Sequence, residues 1–204
     1  MTCENIVIVD YGLGNLMSLL YKFKKIGINA IISSNEKEIE NAEKLILPGV
    51  GHFAKGIENL KNYNLIPVLN KKVLEEKTPI LGICLGMQLL TKRSEEGNVE
   101  GLGWVDAETK RFDLNGLKIP HMGWNTIEIK RGNILFKNIE TPRFYFVHSY
   151  HVCCEDENDI LATTNYGYDF TSAIKKDNVY GVQFHPEKSH KNGIKLLKNF
   201  AEVV

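Results

Sequence analysis

Short, largely apolar runs end in turns and give way to helical spacing throughout the first half of this chain. Residues 5–10 break at Gly12 and Gly14, residues 45–47 at Pro48-Gly49-Val50-Gly51, and residues 79–83 at Cys84, between Gly82 and Gly86. Residues 28–32 make a further strand-like run, ending at Ser33-Ser34-Asn35. Unbroken apolar runs of strand length mark strands buried on both faces, which occur mostly in parallel sheets covered by helices. From Asn15, a candidate N-cap, the residues Leu16, Leu19, Leu20 and Phe23 recur at helical spacing on one face. Further helical stretches are expected over 53–77 and 85–92, with a polar connector over 36–43. Strand and helix alternating in this way predict an α/β fold with a mostly parallel central sheet and flanking helices.

After Gly97 the texture becomes strand-like, over 125–129, 143–147, 172–174 and 179–184, which predicts antiparallel additions to the sheet. A last helix over 189–201 is expected to bury Ile194, Leu197 and Phe200. With no linker, repeat or low-complexity tract, residues 1–204 read as one domain.

Composition narrows the function classes. Twenty-five Lys and Arg balance 25 Asp and Glu, so no cationic surplus points to nucleic acid or a membrane surface as partner. Residues 1–5 carry no basic side chain and the first apolar run is far shorter than a secretory core, so no signal peptide is expected. The least polar stretch, 79–91, falls short of the ~20 apolar residues of a membrane helix. The four cysteines, Cys3, Cys84, Cys153 and Cys154, form no C-x-x-C pair, and no Cys/His cluster has metal-ligand spacing. A reduced, cytoplasmic protein without metal or cofactor is the resulting expectation.

Gly82-Ile83-Cys84-Leu85-Gly86 is the segment with most chemical content. A nucleophile set where a buried strand turns sharply into a helix is lifted above the sheet edge, and the helix amides favour its thiolate. Alone, the pentapeptide also fits a buried cysteine in a glycine-rich turn. Among His52, His121, His148, His151, His185 and His190, the best-placed base is His185 in Phe184-His185-Pro186-Glu187. Pro186 biases His185 toward an extended backbone, and residues i and i+2 of an extended chain point the same way, so Glu187 can orient the imidazole. A purely structural strand-end histidine remains open. Acyl chemistry also needs oxyanion donors; Leu85 N–H and the loop carrying Val50 and Gly51 are candidates, the loop fitting a plain tight turn as well.

Taken together and in order, Pro-Gly-Val-Gly at 48–51, Gly-Ile-Cys-Leu-Gly-Met-Gln at 82–88 and His-Pro-Glu at 185–187 resemble the class I, triad-type glutamine amidotransferases. The resemblance implies a flavodoxin-like fold and a Cys84–His185–Glu187 triad that hydrolyses L-glutamine. Asp10-Tyr11-Gly12-Leu13-Gly14-Asn15, Pro120-His121-Met122-Gly123-Trp124-Asn125, Phe146-Val147-His148-Ser149-Tyr150 and His185-Pro186-Glu187-Lys188-Ser189 are similar, more narrowly, to the glutaminase subunits of imidazole glycerol phosphate synthase. That narrower resemblance implies an oxyanion hole of Val50, Gly51 and Leu85. It implies glutamine contacts from Gln88, Glu96, Ser149 and Tyr150. It also implies a heterodimer with a HisF-type (β/α)8 cyclase, with Asn15, Trp124, Tyr145 and Lys188 at or beside the interface. The same motifs serve glutaminases that feed sugar amidotransferases of surface polysaccharide synthesis, so that acceptor remains the alternative. An elbow-bearing cysteine hydrolase would not need Gln88, Glu96 or His-Pro-Glu, and a silent binding subunit would not need both Cys84 and His185.

Overall fold

The computed structural model describes residues 5–204; Cys3 lies outside them. Strand β1 (Ile6–Val9), helix α1 (Leu16–Lys25), β2 (Ala30–Ser33), α2 (Glu36–Glu40), β3 (Lys44–Gly49), α3 (Phe53–Asn62), α4 (Ile66–Asn70), β4 (Ile80–Cys84) and α5 (Leu85–Leu89) make up the first half. The second half holds β5 (Ala107–Arg111), β6 (His121–Thr126), β7 (Arg143–His148), β8 (Tyr150–Cys154), β9 (Ile160–Tyr166), β10 (Tyr168–Lys176), β11 (Val179–Val182) and α6 (His190–Val203).

The main sheet runs β2-β1-β3-β4-β11-β10-β8-β5. Its β2, β1, β3, β4 and β11 pair in parallel, while β10 and β8 join antiparallel, with β9 on β10. Every residue of β1, β3, β4 and β11 is buried, which is why these strands, the buried Lys44 at the start of β3 apart, read as apolar runs. Alternate residues serve opposite faces: Ile6 and Ile8 join a core with Phe23, Leu197 and Phe200, and Val7 and Val9 one with Phe53, Ile57 and Leu89. Strands β6 and β7 form a separate antiparallel ribbon that sets His121 opposite His148.

Several expectations need correction. Residues 36–40 are helical because Asn35 Oδ1 accepts from the amides of Lys37 and Glu38, at 2.9 and 3.4 Å. Asn15 occupies the N-cap position of α1 but makes no side-chain capping bond. The helix expected over 85–92 ends at Leu89, where Thr91 Oγ1 donates to Gln88 O at 2.8 Å and the amides of Leu102 and Trp104 take the carbonyls of Leu89 and Leu90. The expected stretch over 53–77 is α3, α4 and a π-helical turn at Lys71–Glu75. In α6, Leu196 is buried with Leu197 and Phe200, while Ile194 is only half-buried. Among the described residues, no helix is long and apolar enough to cross a membrane.

Candidate active site

The carboxyl ends of β3, β4 and β11 lie side by side, and the connections leaving them build a cleft of about 300 Å3. Val50, Gly51, Cys84, Leu85, Gln88, Glu96, Ser149, Tyr150 and His185, all singled out in the sequence, line it. This is the edge where parallel α/β sheets bind ligands.

Cys84 sits between β4 and α5 with φ 55° and ψ −109°, a left-handed conformation that costs a non-glycine residue roughly 1–3 kcal/mol. The neighbouring glycines make this turn possible. A Cβ on Gly86 would lie 1.7 Å from Leu47 O, and one on Gly82 would lie 2.8 Å from Gly86 C. Packing of the elbow directly against β3 therefore sets the position of Cys84. Its Sγ lies 3.9 Å from Val147 O and 3.7 Å from Gln183 Nε2, and the residue is 6% exposed.

His185 has the extended backbone that Pro186 imposes, φ −99° and ψ 98°. Its Nδ1 donates to Glu187 Oε1 at 2.9 Å, which fixes the tautomer and leaves Nε2 for the cleft. Its main chain is tied to β7: the His185 amide donates to Tyr145 O at 2.9 Å, and Ser189 Oγ donates to His185 O at 2.6 Å while accepting from the Tyr145 amide at 3.0 Å. His185 Nε2 and Glu187 Oε2 are buried without a hydrogen-bond partner. Burial pushes the imidazolium toward deprotonation, but the Cys84 and Glu187 charges outweigh it and hold the His185 pKa up at about 10.

The Pro48–Gly51 loop leans on the elbow. Tyr11 Oη donates to Pro48 O at 2.6 Å, and a Cβ on Gly49 would meet Tyr11 Oη at 2.5 Å and Leu85 Cβ at 2.8 Å. Val50 is 39% exposed, at the mouth of the cleft. Burial and the nearby Cys84 charge push the Tyr11 phenol far up, so it stays a donor. Glu96 Oε2 accepts from Phe53 N–H at 2.7 Å, so this carboxylate caps α3 as well as facing the cleft.

The site contains residues that the motif reading passed over. Gln88 Nε2 donates to Tyr150 O and to Gln183 Oε1, both at 3.0 Å, which turns the Gln88 amide oxygen to its remaining side. Gln183 was legible as a polar residue inside the apolar run 179–184, two positions before His185 and hence on its face. His148 also lines the cleft, but its Nδ1 donates to Tyr150 O at 2.8 Å and burial holds its pKa down at about 3, so it stays neutral. His52 caps α3, His151 contacts Tyr168 Oη, and His190 stacks on Trp124 at the surface.

A family model described as glutamine amidotransferase class-I matches residues 7–204. The chain belongs to that family. Imidazole glycerol phosphate synthase subunit HisH 2 of Methanococcus maripaludis is 59% identical over 197 residues, covering 96% of this chain and 98% of the relative. A protein of the same printed name from Pseudomonas aeruginosa is 49% identical over 201 residues, covering 98% and 100%. A solved structure described as a glutamine amidotransferase superposes with TM-score 0.75 at 21% identity, covering 96% of this chain and 97% of its own, a likeness of fold.

Beside the amidotransferase cleft, Trp124, Tyr145, Lys188 and His190 form one surface cluster. Trp124 lies parallel to His190 with ring centroids 5.1 Å apart and edge-on to Tyr145 at 6.1 Å, and Lys188 Nζ sits 5.8 Å from the Tyr145 ring centroid. Asn15 is exposed at the start of α1, which packs against the 186–188 turn. Of the cysteines, Cys153 and Cys154 are half-buried on β8, and burial pushes both thiols up, Cys154 to about 12, which leaves them inert beside Cys84. Among the described residues, no group of three His, Cys, Asp or Glu side chains is arranged to hold a metal ion.

Proposed function

We propose that this chain is the glutaminase subunit of an imidazole glycerol phosphate synthase, with residues 1–204 acting as one amidotransferase domain. The reading is carried by the convergence of the Cys84 elbow, the His185–Glu187 pair and the glycine loop on one cleft. Cys84 Sγ attacks the side-chain carbonyl carbon of glutamine. The oxyanion that forms is stabilised by Leu85 N–H and the Val50–Gly51 amides. As the C–N bond breaks, His185 Nε2 gives its proton to the leaving nitrogen, which departs as ammonia and leaves a thioester on Cys84. Water, deprotonated by His185, then attacks the thioester and releases glutamate and the thiolate. Glu187 keeps the imidazole in the tautomer that both steps need. Gln88, Glu96, Ser149 and Tyr150 hold the amino-acid end of the substrate.

Free ammonia is protonated in water and lost as a nucleophile, so the cleft must discharge into a partner. Asn15, Trp124, Tyr145 and Lys188 surround the exit on this reading, and a HisF-type (β/α)8 cyclase is the acceptor. Mixed with such a cyclase from the same organism, the chain forms a one-to-one complex that makes imidazole glycerol phosphate from glutamine. The triad chemistry is the same whatever takes the ammonia, so a sugar amidotransferase is the alternative acceptor. If the mixture is inactive while a co-encoded sugar amidotransferase switches on glutamine hydrolysis, the histidine-pathway assignment fails and the triad chemistry stands.

A further inference from the structure

Two buried histidines next to the cleft take no part in the mechanism above. His121 on β6 and His148 on β7 are 3% and 6% exposed and face each other across the ribbon, with Nδ1 of His121 3.0 Å from Nε2 of His148. His148 Nδ1 lies 2.8 Å from Tyr150 O, and Asn125 Nδ2 lies 3.3 Å from His121 Nε2.

The proton positions follow from the two ends of this chain. Tyr150 O can only accept, so His148 Nδ1 carries the proton and, in a neutral ring, His148 Nε2 accepts. His121 Nδ1 must then donate, and His121 Nε2 accepts from the Asn125 amide. A proton added to either ring would set two donors face to face. Burial keeps both rings neutral, holding the pKa of His121 at about 4 and that of His148 at about 3.

Beyond Tyr150 the chain reaches the nucleophile. The Tyr150 carbonyl accepts on its other side from Gln88 Nε2, Gln88 donates its second proton to Gln183 Oε1, and Gln183 Nε2 lies 3.7 Å from Cys84 Sγ. A donor aimed at sulfur favours its anionic form. We propose that His121 and His148 are positioning residues, a neutral single-tautomer pair that holds the Tyr150 carbonyl and, through Gln88 and Gln183, sets the hydrogen-bond donor on the Cys84 sulfur. The outer end of the pair is on a strand open to a partner. His121 and Asn125 share one face of β6, and Met122 and Trp124, 62% and 38% exposed, stand on the other. A surface that docks on those two side chains therefore bears on the strand that anchors the relay.

The inference rests on the glutaminase reading, and the test separates the two. In the full-length chain, nitrogen NMR of the histidine rings at neutral pH should find both imidazoles neutral with the proton on Nδ1. Iodoacetamide labelling of Cys84, followed by peptide mass spectrometry, reads the reactivity of the sulfur without any substrate. His121→Phe keeps the ring packing and deletes the donor to His148, and loss of one buried hydrogen bond should slow labelling and lower kcat by about tenfold. His121→Gln retains an N–H donor and should restore most of both. Asn125→Asp replaces the donor with a carboxylate, so NMR should find a proton on His121 Nε2 in that variant, a readout that stands even if His121→Phe fails to fold. The relay is overturned if wild type hydrolyses glutamine while a folded His121→Phe chain labels at the wild-type rate, if the wild-type rings carry their protons on Nε2, or if Asn125→Asp leaves His121 Nε2 unprotonated. If instead glutamine neither is hydrolysed by wild type nor protects its Cys84 from labelling, the glutaminase reading itself fails.

Discussion

Mild acid should unfold this protein in proportion to the two histidines buried in the β6–β7 ribbon. His121 packs among Phe146, Tyr166 and Phe170, and His148 against Phe112 and Phe170. Burial lowers the folded-state pKa of His121 to about 4 and of His148 to about 3, and charge repulsion with the neighbouring His121, His151 and His185 rings adds to the lowering at His148. In the unfolded chain both titrate near ~6.5. Because the folded values lie below the unfolded ones, the stability these neutral rings provide is complete above ~6.5 and is lost as pH falls toward the folded values. At pH ~5.5 the unfolded chain binds nearly two more protons at these positions than the native one, so the unfolding free energy should drop by about 2 kcal/mol per pH unit. That is a large share of the ~5–15 kcal/mol a domain of this size holds. His151, also lowered by burial, adds in the same direction, whereas His185, raised to about 10, is already protonated in the folded state, so it opposes the slope while the unfolded chain titrates around ~6.5 and adds almost none below pH ~5.5. The assay is urea unfolding followed by tryptophan fluorescence at closely spaced pH values from 7 to 4.5, with His121→Gln expected to remove about half of the slope between pH 6 and 5. An unfolding free energy that stays level across that interval would refute the burial of two neutral imidazoles.

His185→Asn should lower glutamine turnover by about 10²–10⁴, the range for a general acid–base group, and Glu187→Gln should cost less because it keeps a partner for Nδ1; steady-state glutamate release measures both. Gly86→Ala would place a methyl 1.7 Å from Leu47 O, so the elbow must separate from β3. The expected result is a destabilisation of at least ~1–3 kcal/mol in urea unfolding, together with slower alkylation of Cys84.

The parallel half of the fold was legible because Ile6–Val9, Lys44–Gly49, Ile80–Cys84 and Val179–Val182 are buried on both faces and therefore almost wholly apolar. Strand β5, Ala-Glu-Thr-Lys-Arg, escaped notice because it buries only Ala107 and Thr109 and turns its polar residues outward. Helix α2 escaped for a similar reason: Ile39 is its single buried residue, and the cap from Asn35 defines its start. In the site, Cys84 and His185–Glu187 could be read from the chain because their roles depend on local geometry, a strand-to-helix turn and an i, i+2 pair before a proline bend. The His121–His148 pair could not. It exists only through the register of β6 on β7, and nothing in the spacing of two histidines within separate strands reveals that they face each other. Tyr11 was hidden in the same way, since its hydroxyl matters only because β1 lies beside β3 and delivers it to Pro48 O.

The central claim, that Cys84 is the nucleophile of a glutaminase that serves an ammonia-using partner, is tested most directly by Cys84→Ala assayed in complex with that partner. Glutamine-dependent product formation should vanish while turnover with added ammonium salt stays at the wild-type level. Retention of most glutamine-dependent activity by Cys84→Ala would contradict the claim.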